Sequence, residues 1–204
     1  MATAHLAVYD TLADWEPGYL LAELRTGRFT GTPFDIVAVS ETGAPVTTMG
    51  GLRVTPDAAA ADLDPAVSDL LILPGAALYD AGEGQLWADA AARFLAADVP
   101  VAAICGATFG LARAGILDDR PHTSAALQYL QMTDGYAGGD HYVDARAVAF
   151  GGLITAGPDS PIQWATATLA TLGLIDGNLQ NAYERLFGEG DASAFPVLQA
   201  AQQS

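Results

Sequence analysis

The chain contains one cysteine, Cys105, in the stretch "VPVAAICGATFGLARAGIL" at residues 99–117. An apolar run stops at the cysteine, a glycine follows, and apolar residues then recur at helical spacing. A residue on such a tight strand-to-helix turn projects from a sheet on a strained backbone, as the serine of a nucleophile elbow does. Gly106 relieves crowding beside it. The helix start would set free amides and the positive end of a helix dipole beside the sulfur. That environment favours the thiolate, so the thiol pKa is expected to fall. The Gly106 amide is also placed to donate to a developing oxyanion. The competing reading is a buried cysteine that packs as a small hydrophobe.

The flanking sequence supplies elements that would carry this turn. "HLAVYD" (5–10), "PFDIVAVS" (33–40), "SDLLILPGA" (68–76) and "VPVAAI" (99–104) read as short buried strands. Helical spacing marks 14–27, with Gly27 at a helix end, and also 82–98 and 106–117. The segment 44–57 reads as a short strand, or a strand pair broken at Gly50-Gly51. "PHTS" (121–124) reads as a strand and 125–133 as a helix. Residues 141–157 suggest a hairpin around Gly151-Gly152. A serine cap and a proline open a helix over 160–175, and 178–190 reads as the last helix. Strands alternating with helices predict one α/β domain over 1–204, with a mostly parallel sheet covered on both faces. Ligands of such sheets gather beyond the carboxyl ends of the strands. Asp10–Glu16, Gly75–Ala76 and Cys105–Gly106 all fall there.

These residues resemble the ThiJ/PfpI superfamily, whose fold is that of class I glutamine amidotransferases. The resemblance rests on "LLILPG" (70–75) followed by "AICGATFGLARAGILDDRPHTS" (103–124). "LADWEPGYLLAEL" (12–24) and "GGLITAGPDSPIQWA" (151–165) support it. It implies a flavodoxin-like three-layer sandwich with a small β-hairpin, a homodimer, and no metal or organic cofactor. It carries Cys105 over as nucleophile and Glu16 as the carboxyl group that hydrogen-bonds the sulfur. That carboxyl would be protonated while the sulfur is a thiolate, since two buried anions in contact are costly. Gly75 matches a family glycine whose amide approaches the site and, with Gly106, would complete an oxyanion hole.

The histidines depart from the family pattern. Relatives place histidine directly after the cysteine, where this chain has Gly106, or after the later "TS", where it has Ala125. His122 comes three residues early, and an odd shift along a strand reverses the face. It is either a site residue or a partly buried structural one. His5 reads as structural and His141 as a loop residue. Asp10 and Asp14 lie near Glu16 and could reach the cleft, or serve turns and caps. Asp159 could edge the site or complete a turn. Asp14, Tyr79, Thr108 and His122 are the candidate pocket residues. Trp15, Trp87 and Trp164 fit core or dimer contacts better than a substrate platform.

Composition limits the partners. The formal charge is −16, and all eight basic residues are arginine. So acidic a chain repels phosphate backbones and anionic lipid, which argues against nucleic acid and membrane surfaces. No apolar run is long enough to span a bilayer, and the first residues lack a signal-peptide pattern. A lone cysteine cannot form an internal disulfide, which suits a reducing cytoplasm. Three functions fit. The first is a cysteine-dependent enzyme of hydrolase, hydratase or lyase type, acting on a small carbonyl-like metabolite with Glu16 moving the proton. The second is a redox or electrophile-stress sensor without turnover, using the same Cys105–Glu16 pair. The third is an inactive scaffold.

Overall fold

The apolar runs become the strands of a central sheet in the computed structural model, which describes residues 1–203. The strands are β1 (Ala2–Ala7), β2 (Phe34–Ser40), β3 (Val46–Thr47), β4 (Arg53–Val54), β5 (Ala58–Ala59), β6 (Leu70–Leu73), β7 (Val101–Ile104), β8 (Ala147–Phe150) and β9 (Leu153–Ala156). Seven of them form one sheet in the order β5-β2-β1-β6-β7-β9-β8, and β3 pairs with β4 outside it. Every pairing in the large sheet is parallel except β8 with β9. All residues of β6 and β7 are buried. Strands covered on both faces read as unbroken apolar sequence, which is why "LLIL" and "VAAI" stand out.

Two groups of helices cover the sheet. On one side α1 (Gly18–Thr26) packs against β2 and against the later helix Pro161–Thr171, which covers β7, β8 and β9. On the other side α2 (Ala77–Asp80), α3 (Gln85–Ala96), α4 (Gly106–Arg113) and α5 (Leu127–Leu130) pack among themselves and on β6 and β7. The helix Pro161–Thr171 is α6, followed by α7 (Gly177–Tyr183), a π-helical turn (Glu184–Gly188) and α8 (Phe195–Ala201). These last elements close a second, smaller apolar cluster around Phe29, Tyr183 and Leu198. Buried Glu23 ties it to α1 by accepting from Arg28 and from the Tyr183 hydroxyl, at 2.7 Å for the latter. The ion pair and hydroxyl satisfy a carboxylate that would otherwise be costly to bury. Among the described residues no helix is long and apolar enough to cross a membrane.

The architecture agrees with the α/β sandwich and small hairpin expected from sequence, and the differences are local. Gly27 takes a left-handed φ of 59° and ends α1 as its position suggested. The 44–57 segment is the strand pair, β3–β4, turning at Gly50-Gly51. "PHTS" is not a strand: only His122 makes an isolated bridge, to Tyr142. The helix expected over 125–133 is the single turn α5, and α4 stops at Arg113, before Gly115 with its left-handed φ of 73°. Ser160 holds the N-cap position of α6, but its hydroxyl donates to Asp159 rather than capping the helix. The expected last helix converts to a π turn after Tyr183, and α8 follows it unanticipated.

One buried network fixes the spacing of α2 against α4. The Tyr79 hydroxyl bonds the Tyr9 hydroxyl at 3.1 Å, and Tyr9 donates to the Pro74 carbonyl. The Tyr79 ring fills the space left by two absent side chains. A Cβ at Gly84 would lie 2.6 Å from the ring, and one at Gly110 would lie 2.7 Å from it. Alanine in mid-helix ordinarily stabilises by about 1 kcal/mol over glycine. Gly110→Ala should instead lower the thermal midpoint, because the methyl group meets a ring with nowhere to go. A rise in the midpoint would show that the ring is free to move.

Candidate active site

The cysteine sits at the end of β7, where the chain reverses into α4. Its backbone has φ 56° and ψ −126°, one of three left-handed non-glycine residues among those described. Such a conformation costs about 1–3 kcal/mol and persists only when its surroundings enforce it. Here they do. The Cys105 amide donates to the Ala156 carbonyl at 3.0 Å, continuing the sheet ladder. The Cys105 carbonyl accepts from the Thr108 amide at 3.0 Å and the Thr108 hydroxyl at 2.6 Å. Thr108 Oγ1 also bonds Ser124 Oγ at 2.7 Å. Thr108 is fully buried and acts as a clamp on the turn rather than as a wall of the pocket.

Glu16 arrives from the loop after β1, which is pinned on two sides. Leu12 bridges Ala76, and the Ala13 amide donates to the Gly75 carbonyl at 2.9 Å. Across from this, Asp10 accepts from the Thr47 amide at 2.7 Å. Asp14 accepts from the Thr48 hydroxyl and the Gly50 amide, both at 2.5 Å. Both aspartates therefore hold the β3–β4 hairpin against the loop, and the hydrogen bond from Thr48 keeps the Asp14 carboxylate below its ordinary pKa. Neither delivers a free carboxylate to the cysteine.

The Glu16 carboxyl is fully buried between these supports. Its Oε2 accepts from the Gly75 amide at 2.5 Å. The amide expected to serve an oxyanion hole is thus engaged by Glu16. In this arrangement Gly75 positions the acid, and Gly106 is the amide left beside the sulfur. A Cβ on Gly75 would lie 2.7 Å from Cys105 Cβ and 3.0 Å from both Cys105 Sγ and Glu16 Oε1. Glycine at 75 is what lets thiol and carboxyl share one small space. Glu16 Oε1 has no hydrogen-bond partner of ordinary geometry and faces that space with the sulfur.

Burial sets the electrostatics of the pair. Desolvation pushes the Glu16 carboxyl up to about 7, against the hydrogen bonds from Gly75 and Cys105. The Cys105 thiol is pushed up to about 12, first by burial and then by the neighbouring carboxylate; the Gly106 amide opposes this. The fall expected from the helix start is therefore outweighed. Two buried acids in contact cannot both ionise cheaply, so the pair gives up one proton near neutrality and keeps the other.

The remaining candidates divide. His122 is fully buried away from any catalytic hydrogen bond: Nδ1 donates to the Arg120 carbonyl at 2.8 Å, and Nε2 accepts from the Tyr136 hydroxyl at 2.7 Å. Both nitrogens are used, and burial holds its pKa down, so it is a satisfied core histidine. Tyr79 is 1 % exposed and supports the site from beneath. Asp159 pairs with Arg146 at 2.8 Å on the surface. Trp87 and Trp164 are buried, while Trp15 is half-exposed and donates to the Pro158 carbonyl at 3.1 Å. Sequence reasoning passed over Asp80, whose charge helps push the Cys105 thiol up, and Tyr129, which donates to Asp80. Asp80 could have been noticed as the acidic residue closing the turn that begins at Pro74-Gly75.

A cysteine elbow after a central parallel strand, with a buried carboxyl from the first loop, defines a flavodoxin-like protein with a Cys–Glu pair at the sheet's carboxyl edge. Residues 2–171 match the DJ-1/PfpI family, and the chain belongs to that family. It is 34% identical over 186 residues to YoaZ of Bacillus subtilis, named an uncharacterized protease, covering 89% of each chain. The crystal structure of a ThiJ/PfpI family protein from Bacillus anthracis superposes with a TM-score of 0.90 at 34% identity, covering 98% of both chains. A DJ-1 superfamily protein from Agrobacterium tumefaciens gives 0.84 at 35% identity, covering 93% of this chain and 100% of that one.

Two predictions follow the proton shared by the pair. Iodoacetamide alkylation of Cys105, followed by intact mass, should rise with pH in two steps, the first near 7. Glu16→Gln should leave a single step; one step at the ordinary thiol value of about 8.5 in both proteins would contradict the coupling. Stability should respond as well. The folded protein holds the Glu16 proton more tightly than the unfolded chain, so this contribution is full below about 4.5 and is lost as pH rises to about 7. Urea unfolding should therefore show Glu16→Gln gaining about 1–3 kcal/mol on the wild type between pH 4.5 and 8. A difference that stays flat with pH would refute the buried ionisation.

Proposed function

We propose that this chain is a cysteine-dependent enzyme acting on a small carbonyl electrophile, with Cys105 as nucleophile and Glu16 as the proton carrier. The observation that supports this most is the buried Oε1 of Glu16, which faces the sulfur and is left with no partner but the Cys105 thiol. A thiol is a weak donor, so the atom is poorly satisfied, and an unsatisfied buried polar atom costs about 1–3 kcal/mol at most. A protein tolerates such a cost where the atom has work to do in a bound state, and functional sites are where such costs concentrate.

The chemistry needs only what the pair already holds. With one proton shared, the state with a thiolate and a carboxylic acid supplies a nucleophile and an acid together. The sulfur lone pair forms an S–C bond to the carbonyl carbon. The C=O π pair moves to oxygen, which takes the proton from Glu16. The product is a thiohemiacetal and a Glu16 carboxylate. That carboxylate can then accept a proton from the adduct or from an attacking water, and return it when the S–C bond breaks. Hydrolysis, hydration and lyase-type rearrangement share these steps.

The relatives named as uncharacterized proteases raise peptide hydrolysis as the other reading. Peptide cleavage also requires an acid that protonates a leaving amine, a task that histidine fills in cysteine–histidine sites. His122 is committed to Arg120 and Tyr136, which favours the smaller substrate.

A panel of small aldehydes, followed by NMR, tests the proposal. Wild-type protein should consume at least one catalytically, and Cys105→Ala or Glu16→Gln should lower the rate by about 100-fold or more. Consumption that stops at one equivalent with Cys105 modified would replace turnover by sensing. Cleavage of a denatured-protein substrate that depends on Cys105 would favour the protease.

A further inference from the structure

A second carboxylate stands near Cys105, on the surface of the molecule. Asp80 ends α2, the turn that begins two residues after Gly75. Tyr129, on α5, donates its hydroxyl to Asp80 Oδ1 at 2.7 Å. The Tyr129 ring lies against Phe109 of α4 at 4.9 Å between centroids, tilted by 34°. α4 is the helix that Cys105 itself opens. Three short elements around the elbow thus converge to fix one carboxylate. Asp80 is exposed and Tyr129 half-buried, so the pair faces solvent and does not brace the core. Asp80 directly follows Tyr79, whose ring would lie 3.3 Å from a Cβ on Gly106, and the charges of Glu16 and Asp80 both push the thiol pKa up.

We propose that Asp80, held in place by Tyr129, is a specificity determinant that turns anionic substrates away from Cys105 and admits uncharged or cationic small electrophiles. This rests on the reading of Cys105 as an accessible nucleophile. A small carbonyl compound bearing a carboxylate or phosphate carries that charge within a few ångströms of its reacting carbon. Near Cys105 it would meet Asp80 as well as the pair of Cys105 and Glu16, in the field of a chain with formal charge −16. Five of the eight arginines, Arg25, Arg28, Arg120, Arg146 and Arg185, are each paired with a carboxylate and add little free positive charge, while Arg113 donates to the Glu83 carbonyl and keeps its charge. Tyr129 supplies the geometry: its hydroxyl stops the Asp80 side chain from swinging away into solvent.

Two alkylating agents of nearly equal size test this on the intact protein. Iodoacetamide is neutral and iodoacetate is anionic. At one pH they read the same thiolate population, so their rate ratio cancels any change in the thiol pKa. With a single cysteine in the chain, intact mass reports that site alone. The amide-to-acetate ratio should exceed that of a small neutral thiol. Asp80→Asn should reduce it about three- to tenfold at low ionic strength, and Tyr129→Phe should reduce it in part. Salt added to wild-type protein should shrink it as well, with no substitution needed. A ratio equal to that of the free thiol, or one unmoved by both Asp80→Asn and salt, overturns the charge filter while leaving the nucleophile intact. Labelling by neither reagent overturns the accessible nucleophile and the filter with it.

Discussion

Gly75 carries a hydrogen where any other residue carries a carbon, and that difference organises the whole edge of the sheet around Cys105. The missing methyl group leaves one small volume bordered by the Cys105 sulfur, the Cys105 Cβ and Glu16 Oε1. The same residue's amide holds the other oxygen of Glu16, and its carbonyl accepts from Ala13 in the loop that carries Glu16. One glycine therefore joins the ends of three neighbouring strands, β1, β6 and β7. Parallel pairing makes this possible, because it brings all three carboxyl ends to one edge of the sheet.

The carboxylates of this region perform different tasks according to their burial and partners. Asp10 and Asp14 are consumed in holding the β3–β4 hairpin, and so keep the Glu16 loop in place. Glu16 is stripped of water and retains a proton far more readily than an exposed glutamate. Asp80 stays at the surface, oriented by a tyrosine. Three settings of one functional group thus yield a strut, a buried acid and an exposed, oriented charge. Water access sets the energetic scale of each.

The same contrast explains the thiol. A helix N-terminus lowers a thiol pKa when the sulfur remains in contact with water. Cys105 has the helix amide but also loses solvent and gains an acidic neighbour, and these outweigh the amide. Reactivity in such a site belongs to the pair and not to the sulfur alone. With one proton shared between sulfur and carboxyl, a thiolate goes with a protonated acid, and that is the state the proposed carbonyl addition would use.

Local pattern made much of this protein legible. Unbroken apolar runs marked β6 and β7, Gly27 marked the end of α1, and the Gly50-Gly51 and Gly151-Gly152 pairs marked the two hairpins. The elbow was legible because a cysteine followed by glycine at a strand-to-helix junction is a local event, with its strained backbone written into three or four residues. The rest depends on what meets what across the sheet. "PHTS" bridges at His122 only, because the Thr123 amide goes to the Thr155 hydroxyl instead of into a backbone ladder. His122 looks like a catalytic residue until the Arg120 carbonyl and the Tyr136 hydroxyl occupy its nitrogens. The Gly75 amide looks free until Glu16 reaches it from 59 positions away. Residue type and spacing determined which groups were available and roughly where along the chain they would emerge. Tertiary structure alone decided their partners and their exposure to water, and pKa values and hydrogen-bond roles are functions of those two quantities.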